Sequence, residues 1–435
     1  VIVHLGGQTP LKLALGLEKS GVKIVGTSAE SIDIAEDRER FKNLMDQLQI
    51  LQPESRIAKS PKEAISLSKQ IDYPMIVRPS YVLGGRAMEV IYCEEDLEEY
   101  LKQSLNISSD RPLLMDHFLN DAKELDVDAL SDGKDVVICG ILEHVEEAGV
   151  HSGDSTMIMP PFSLPDPILE QVKIKTKEIA IKLKIKGLIN IQYAVKDNKL
   201  YMIEVNPRAS RTIPFISKAV GVPIAKIAAK VMVGRKLLDL GFTEEIKLNH
   251  FCVKESIFPF IKFPEVDTIL GPEMKSTGET MGIDDNLSAA FAKAQTSSGN
   301  KLPINGNAFI SVKDSDKPKI VDFCKRLIDL DFRIFSTNGT HEFLKTHSID
   351  SEVVNKVKEG GDHIVTLLKN GDIDILVNTT LTRKEIFESF SIRRTALISQ
   401  VPYFTTIAGA IEAINSIEYL KKGIIKVKPL QDYFN

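Results

Sequence analysis

Residues 188–211 read LINIQYAVKDNKLYMIEVNPRASR. Two runs rich in β-branched and aromatic residues flank the polar stretch Lys196–Lys199, the pattern of a hairpin. With the turn at Asp197–Lys199, pairing inward sets Gln192 opposite Glu204. Glu204 and Asn206 are two apart and so share a strand face. One face then carries Gln192, Glu204 and Asn206, all with oxygen donors, and Pro207 ends the ladder. Such a set suits a hard cation such as Mg²⁺, which takes a few protein oxygens and completes its shell with phosphates. Arg208 and Arg211 come next, always charged and shaped to grip phosphoryl oxygens. Metal ligands beside paired arginines are the components of a phosphoryl-transfer site. A solvated sheet face ending in an ordinary NPR turn would show similar alternation, and spacing alone favours the site only slightly.

The run E-V-N-P-R-x-S-R at 204–211, after N-x-Q at 190–192, resembles the signature of ATP-grasp enzymes. In this form it resembles the large subunit of carbamoyl-phosphate synthase. The similarity extends through GGQTP at 6–10, EDRERF at 36–41, RPSYVLGGRAM at 78–88 and GVHSGDS at 149–155.

Moving outward, 435 residues exceed one ordinary core, so two or three domains are expected. Hydrophobic content of 43% and charged content of 26% place the chain among soluble globular proteins. A net charge of −5 supplies no field for nucleic acid, so anions must be bound by local arginines. Cys93, Cys139, Cys252 and Cys324 are far apart with no zinc spacing, and read as reduced thiols. No apolar run reaches membrane-spanning length and no signal peptide is visible. The chain opens on Val1 without Met, inside what looks like a strand, and is expected to be a fragment of a longer polypeptide.

Val1–Leu5 and Val22–Gly26 read as strands around a helix at Leu11–Ser20. The resemblance makes residues 1–37 the remnant of a Rossmann-like domain. An ATP-grasp domain is expected over 38–298, with its nucleotide side built from several stretches. The charged helix Asp37–Leu48 carries Arg38, which the resemblance places on the nucleotide phosphates. Arg78 ends a strand before Gly84–Gly85, a turn whose backbone can approach phosphates closely. The resemblance assigns adenine contacts to His117 and Leu119, and the ribose to Glu124. It adds nucleotide contacts at Gly149, Val150, His151 and Ser152. Ligands resembling ornithine would meet Glu146, Asp154, Glu255, Tyr403 and Thr405. Gly271–Gly282 reads as a turn-rich loop and Leu287–Ala294 as a short helix.

Thr296–Pro303 is small, polar and marked by Gly and Pro, the clearest boundary in the chain. From 299 to 435 strands and helices alternate, which argues a small α/β domain with a mainly parallel sheet. Its strands are expected at Asn307–Val312, Phe332–Ser336, Ile373–Val377 and Ile424–Val427. Thr337–Thr340 and Asn378–Thr380 lie at strand ends where anions bind. With Lys317 and Lys356 they resemble the methylglyoxal-synthase-like (MGS-like) regulatory domain, and Thr337, Thr340, Asn378 and Thr380 would then contact a nucleotide such as UMP. Asn338 departs from the family, where histidine often stands.

The resemblance therefore implies α/β and α+β architecture, with ATP-grasp and MGS-like domains after a truncated Rossmann-like segment. It implies phosphorylation of carbamate by ATP, serving pyrimidine and arginine synthesis in the cytoplasm. Mg²⁺ or Mn²⁺ would be held by Gln192, Glu204 and Asn206, with K⁺ a further ion. Arg78, Arg208 and Arg211 would neutralise charge on the transferred group. Implied partners are the rest of the large subunit, an ammonia-supplying glutaminase small subunit and small-molecule effectors, in an oligomer without nucleic acid or membrane. Two alternatives stand beside this: another ATP-grasp carboxylate ligase, and a non-catalytic effector-binding piece.

Overall fold

The computed structural model describes residues 1–79, 87–103, 112–355, 357, 363–380, 382–423 and 425–434. Contacts divide the chain into two compact units, one of residues 1–152, 157–249 and 429–435, the other of 153–156 and 250–428.

In the first unit, strands β1 (Ser55–Ala58), β2 (Met75–Pro79), β3 (Glu89–Ile91) and β4 (Leu113–His117) form an antiparallel sheet ordered β1-β4-β2-β3. Strands β5 (Lys123–Asp132), β6 (Val136–His144), β7 (Met157–Met159), β8 (Lys186–Lys196) and β9 (Lys199–Asn206) are antiparallel neighbours in the order β7-β6-β5-β8-β9. Alternation explains which side of this sheet is apolar. Leu125, Val127 and Ala129 of β5 join Ile189, Ile191 and Tyr193 of β8 in one core, with Val172 and Ile179 of the helix Asp166–Lys182. The intervening Asp126, Asp128, Asn190 and Gln192 must then face the other way. Buried Tyr193 meets Thr176 of that helix through their hydroxyls at 3.1 Å, so the phenol is not stranded in the core.

In the second unit, β10 (Phe251–Ile257) pairs antiparallel with β11 (Gly278–Asp284). Strands β12 (Gly306–Ser311), β13 (Phe332–Ser336), β14 (Glu352–Val353), β15 (Ile375–Asn378) and β16 (Tyr403–Phe404) make a parallel sheet ordered β14-β13-β12-β15-β16. Parallel strands need crossover connections, and the helix Ile320–Asp329 supplies the one between β12 and β13. No helix among the described residues is long and apolar enough to cross a membrane.

Several elements depart from the sequence expectations. Val1–Leu5 and Val22–Gly26 are not strands: they meet through Val25 N–H donating to Val1 O at 2.9 Å, without a ladder to extend the pairing. The stretch at Gly271–Gly282 is not wholly loop, since its end enters β11. Residues 425–427 carry no strand, and Val427 is 95% exposed, so nothing covers an apolar face there. The helix Arg383–Ile398 has no counterpart among the expected elements because its apolar residues do not gather on one stripe. It starts at a capping box between Thr382 and Glu385. The compositional break at 298/299 also differs from the contact boundary near 249/250.

Gly282 shows why residues 278–298 pack as one piece. A Cβ there would sit 1.9 Å from Ala290 O and 2.6 Å from Ala294 N, so the helix Leu287–Ser298 lies directly on the β11 backbone. Gly282→Ala should destabilise this unit by about 3 kcal/mol, as overpacking against unyielding backbone does. Gly278→Ala, whose Cβ would meet only Ile257 at 4.0 Å, should be near neutral in the same denaturant titration.

Candidate functional site

The β8–β9 hairpin sets Gln192 opposite Glu204 and Asn190 opposite Asn206. The route to this register differs from the expected three-residue turn. Lys196 pairs with Lys199 across a two-residue turn, Asp197 and Asn198, both left-handed with φ of 50° and 57°. A bulge then intervenes, because Tyr193 faces Met202 while Gln192 faces Glu204, leaving Ile203 as the extra residue. Glu204 is water-accessible on the exposed strand face. Gln192 turns its amide nitrogen toward Asp126 Oδ1 at 3.4 Å, which directs its carbonyl oxygen away from that carboxylate. Asn206 Oδ1 accepts from Arg208 Nη2 at 3.0 Å, so Glu204 and Gln192 present the more open oxygens of the three expected ligands. Among the described residues no group of three or more His, Cys, Asp and Glu side chains is arranged for a metal. A cation here would depend on this sparse oxygen set and on ligand phosphates.

Cationic side chains gather near Glu204. Asp37 caps the helix Arg38–Gln47 by accepting from Arg40 N at 2.8 Å, which fixes Arg38 on the first turn. Arg38 and Arg78 share Asp116, at 3.1 and 3.5 Å. Burial lowers the Arg38 pKa first, Asp116 raises it, and Arg78 opposes it by like charge. Among the described residues, Arg78 Nε is buried with no hydrogen-bond partner, an open donor suited to an anion. Burial raises Glu204 above the usual carboxylate range, while Arg78 and Arg208 pull it back. Arg208 is braced by Gln8 of the GGQTP stretch, a residue absent from the expected site residues. Its Nε donates to Gln8 Oε1 at 2.9 Å, and Gln8 in turn donates to both Glu36 carboxylate oxygens at 2.7 and 2.9 Å. Arg211 is exposed at the start of the helix Thr212–Ala219.

On the expected nucleotide side, Glu124 Oε1 accepts from Gly149 N–H at 3.1 Å. Gly149 has φ of 94°, and a Cβ would lie 2.6 Å from the Phe118 ring, so only glycine fits. Leu119, Ala122, Ala148 and Ala194 form an apolar cluster next to this contact, a surface suited to a flat aromatic base. His117 N–H is committed to Glu54 O at 2.7 Å, and its Nδ1 lies 3.2 Å from Asp72 O. Val150, His151 and Ser152 continue the chain past Gly149, all partly buried. Gly84 and Gly85 lie outside the described residues, as does Lys356.

Beneath the strands runs a buried polar network absent from the expected site residues, Glu124 and Gln192 apart. His144 stands between Asp126 (2.7 Å) and Glu124 (3.5 Å). Asn190 Nδ2 donates to Asp126 Oδ1 at 3.0 Å. Burial would raise the Asp126 pKa, but His144, Asn190 and Gln192 hold it below its ordinary value. Asp128, with fewer cationic neighbours, is pushed by burial to about 7, against lowering by the Thr212 and Ser210 hydroxyls. The signal for this network is E-L-D-V-D at 124–128: carboxylates alternating with apolar residues put three acids on one strand face.

In the second unit, both Asp154 oxygens are taken by backbone donors, Lys275 N at 2.8 Å and Ser276 N at 2.9 Å. Glu255 accepts from Thr156 Oγ1 at 2.9 Å. Burial raises the Tyr403 phenol against a lowering by nearby Thr268, and Thr405, two residues on, is partly buried. Glu146 belongs to the first unit. At the C-terminal edge of the parallel sheet, Ser311 and Thr337 hydroxyls meet at 3.2 Å and Thr340 Oγ1 accepts from Val312 N at 3.5 Å. Lys317 Nζ bonds Asp314 at 2.7 Å and would lie 3.7 Å from a Cβ on Gly339, beside the same helix start. Asn378 Oδ1 accepts from Arg393 at 3.1 Å, and Thr380 stands two residues on.

The family model described as carbamoyl-phosphate synthase L chain, ATP binding domain, matches residues 37–240, and that of the MGS-like domain matches 319–405. A carbamoyl phosphate synthase large chain from Archaeoglobus fulgidus is 51% identical over 434 residues, covering 100% of this chain and 40% of that protein. A carbamoyl phosphate synthase large chain, C-terminal section, from Aquifex aeolicus is 50% identical over 457 residues, covering 100% of this chain and 85% of that protein. The chain thus spans 40% of the length of the Archaeoglobus large chain but most of the Aquifex C-terminal section. Among solved structures, the biotin carboxylase domain of Hydrogenobacter thermophilus 2-oxoglutarate carboxylase, in complex with MgADP, ADP and bicarbonate, matches with a TM-score of 0.52. Its identity is 18%, over 66% of this chain and 70% of that one. N5-carboxyaminoimidazole synthase from Aspergillus clavatus matches at a TM-score of 0.51 and 15% identity, over 65% and 77%. At these identities the likeness concerns the fold.

Asp128 also makes stability depend on pH. Its folded pKa of about 7 exceeds the unfolded 3.8, so between those values the folded protein holds the extra proton. Stability from this group is therefore present at low pH and falls as pH rises through the window, by at most about 1.4 kcal/mol per unit. Of its titratable neighbours, Asp126 is held below its ordinary value and the Cys139 thiol is raised well above its own, so both titrate outside this window. Asp128→Asn should flatten the slope, so wild type should lose denaturation midpoint relative to the variant between about pH 5 and 7.5.

Proposed function

The chain belongs to the carbamoyl phosphate synthase large-chain family, and on that premise we propose that it carries the carbamate-phosphorylating step. The observation that carries this reading is the opposition of Gln192 and Glu204 on a strand face near Arg38, Arg78 and Arg208. A carbamate oxygen attacks the γ-phosphorus of ATP, the bond from that phosphorus to the bridging oxygen breaks, and ADP leaves with the electron pair. Carbamoyl phosphate and ADP are the products. No side-chain nucleophile is required, because positioning and charge stabilisation account for phosphoryl transfer.

Glu204 and Gln192, with Asn206 beside them, would hold Mg²⁺, and Mn²⁺ would accept the same oxygens. That ion supplies charge neutralisation on the phosphate oxygens. Arg78 offers its open Nε–H to the transferring group, and Arg38 reinforces the positive field from the neighbouring helix. Arg208, held by Gln8 and Asn206, cannot swing freely and is therefore aimed before substrate arrives. Glu124 and the apolar cluster around Leu119 would take the ribose and base.

The terminal domain would bind a phosphate-bearing effector such as UMP at the helix start beside Thr337, Thr340 and Lys317, where N–H groups and a cation meet. An ammonium-bearing ligand resembling ornithine would engage Glu255, Tyr403 and Thr405, with K⁺ a further cation. The fragment would work with the remaining part of the large chain and an ammonia-supplying small subunit, as an oligomer in the cytoplasm.

Carbamoyl phosphate-dependent synthesis of ATP from ADP tests the assignment directly. Glu204→Gln should lower this rate roughly a hundred- to thousandfold with the fold intact, as removal of one key electrostatic group does. A near-normal rate at saturating Mg²⁺ overturns the metal assignment. Arg78→Lys keeps the charge but loses the planar fork, so calorimetry should give weaker ADP binding, and Arg78→Ala weaker still. Equal affinity in all three proteins removes Arg78 from the phosphate site.

A further inference from the structure

Asp128 is fully buried on β5, on the polar face of the strand, and belongs to no ligand set described above. Its two carboxyl oxygens are used on two residues that flank a third. Oδ1 accepts from Ser210 Oγ at 2.7 Å, and Oδ2 accepts from Thr212 Oγ1 at 2.5 Å. The two hydroxyl oxygens also lie 2.7 Å apart, so carboxylate and hydroxyls form one compact cluster. Asn190 Nδ2 approaches Oδ1 at 3.4 Å from the neighbouring strand. Between the two clamped residues stands Arg211, exposed while Thr212 is buried.

The local backbone gives this clamp something to do. Arg211 precedes the helix Thr212–Ala219 with helical angles (φ −69°, ψ −25°) and makes no side-chain cap. The helix start therefore has no local stop to fix its rotation. Asp128 instead fixes Thr212 and Ser210 against the sheet. A buried carboxyl is costly, and an apolar side chain of similar size would pack at lower cost. What an apolar residue cannot supply is two directed acceptors reaching residues two apart.

We propose that Asp128 is a positioning residue for Arg211, clamping the residues on either side so that the arginine is held toward the phosphoryl-transfer site. This rests on the phosphoryl-transfer reading of the arginine turn. Arg208 is braced from Gln8 and Asn206, so the two arginines of this turn are held by separate supports. Loss of Asp128 releases Arg211 while leaving Arg208 and the metal strand in place.

The test uses the whole chain as Asp128→Ala, Asp128→Asn, Arg211→Ala and the double variant Asp128→Ala/Arg211→Ala. Asp128→Asn keeps the shape and one acceptor, and serves if the alanine variant is not recovered folded. Hydrogen exchange over residues 207–213 should quicken about tenfold in Asp128→Ala, and less in Asp128→Asn, with residues 189–195 unchanged. In ATP synthesis from ADP and carbamoyl phosphate, Asp128→Ala should lower kcat about a hundredfold, the scale of a misplaced group. ADP affinity by calorimetry should be unchanged, and in the Arg211→Ala background Asp128→Ala should add little. Unchanged exchange at 207–213, or kcat losses that multiply in the double variant, overturns the clamp. If wild type lacks the ATP-forming reaction, the phosphoryl-transfer reading fails instead, and the exchange measurement alone decides the clamp.

Discussion

One extra residue in a strand governs the geometry of the face that carries Gln192 and Glu204. From the turn outward, Leu200 and Met202 of β9 enter the core, and the next core residue is Val205. The spacing changes from two to three because Ile203 bulges. Without the bulge, continuing the register from Lys196–Lys199 would set Gln192 against Ile203 and turn Glu204 into the core. An unpaired carboxylate there would carry the full desolvation cost of a buried charge. The apolar packing of Val205 and the solvation of Glu204 therefore favour the same backbone irregularity. The sheet core, far from the chemistry, holds the carboxylate in position.

The charges around that carboxylate are left incompletely paired. Arg38 and Arg78 share the single carboxylate of Asp116, and Arg208 leans on a neutral amide whose other end holds Glu36. In a chain with net charge −5, three guanidinium groups thus stand close to Asp116, Glu204 and Glu36. The arginines come from a helix start, a strand end and a turn, so three separate elements supply the positive charge. The desolvation that raises Glu204 and lowers Arg38 is opposed in each case by charge already in place, Arg78 and Arg208 for the carboxylate and Asp116 for the guanidinium.

Most of the architecture is legible in the sequence because alternation and end signals are strong. Strand β13 and the hairpin of β8 and β9 follow from runs of strand-forming residues, and the helix Arg38–Gln47 lies within the charged helix expected at Asp37–Leu48, with Asp37 as its cap. Gln192 stands opposite Glu204 as expected, but through a different mechanism, since a short turn plus a bulge equals a longer turn without one. The turn type is hidden because Asp197–Asn198 and Asp197–Lys199 are both acceptable loops, and only the Val205 spacing separates them. Gln8 is illegible for another reason: its partner Arg208 lies 200 residues away, and no local pattern encodes such a contact. Asp126 and Asp128 are visible in E-L-D-V-D, but acids on a strand suggest solvent unless both faces are known to be covered. Val1–Leu5 shows the converse failure, since strand-forming residues do not make a strand without a partner ladder.

The second unit shows why composition and packing draw different boundaries. Thr296–Pro303 has the residues of a linker, yet the helix Leu287–Ser298 before it is tied to the helix Ile407–Lys422 beyond it, because Ser416 Oγ donates to Ser288 O at 2.9 Å. Further on, Arg393 is wholly buried and spends its guanidinium on both sides of the compositional break. Its Nε donates to Asp267 Oδ1 at 2.9 Å, and its Nη1 to Asn378 Oδ1 at 3.1 Å and Ser389 Oγ at 2.6 Å. A buried ion pair contributes little to net stability compared with an apolar core, but breaking one leaves an uncompensated charge and costs about 3–5 kcal/mol. Asp267 therefore cannot leave Arg393 cheaply, and Asp267 O also accepts from Lys275 Nζ at 3.3 Å, one residue before the Ser276 N–H that holds Asp154. Residues 250–298 are thus bound to the parallel-sheet segment by the Arg393–Asp267 pair as well as by the Ser416–Ser288 contact. Small polar residues mark where a chain is easy to interrupt; buried guanidinium marks where the folded unit is not.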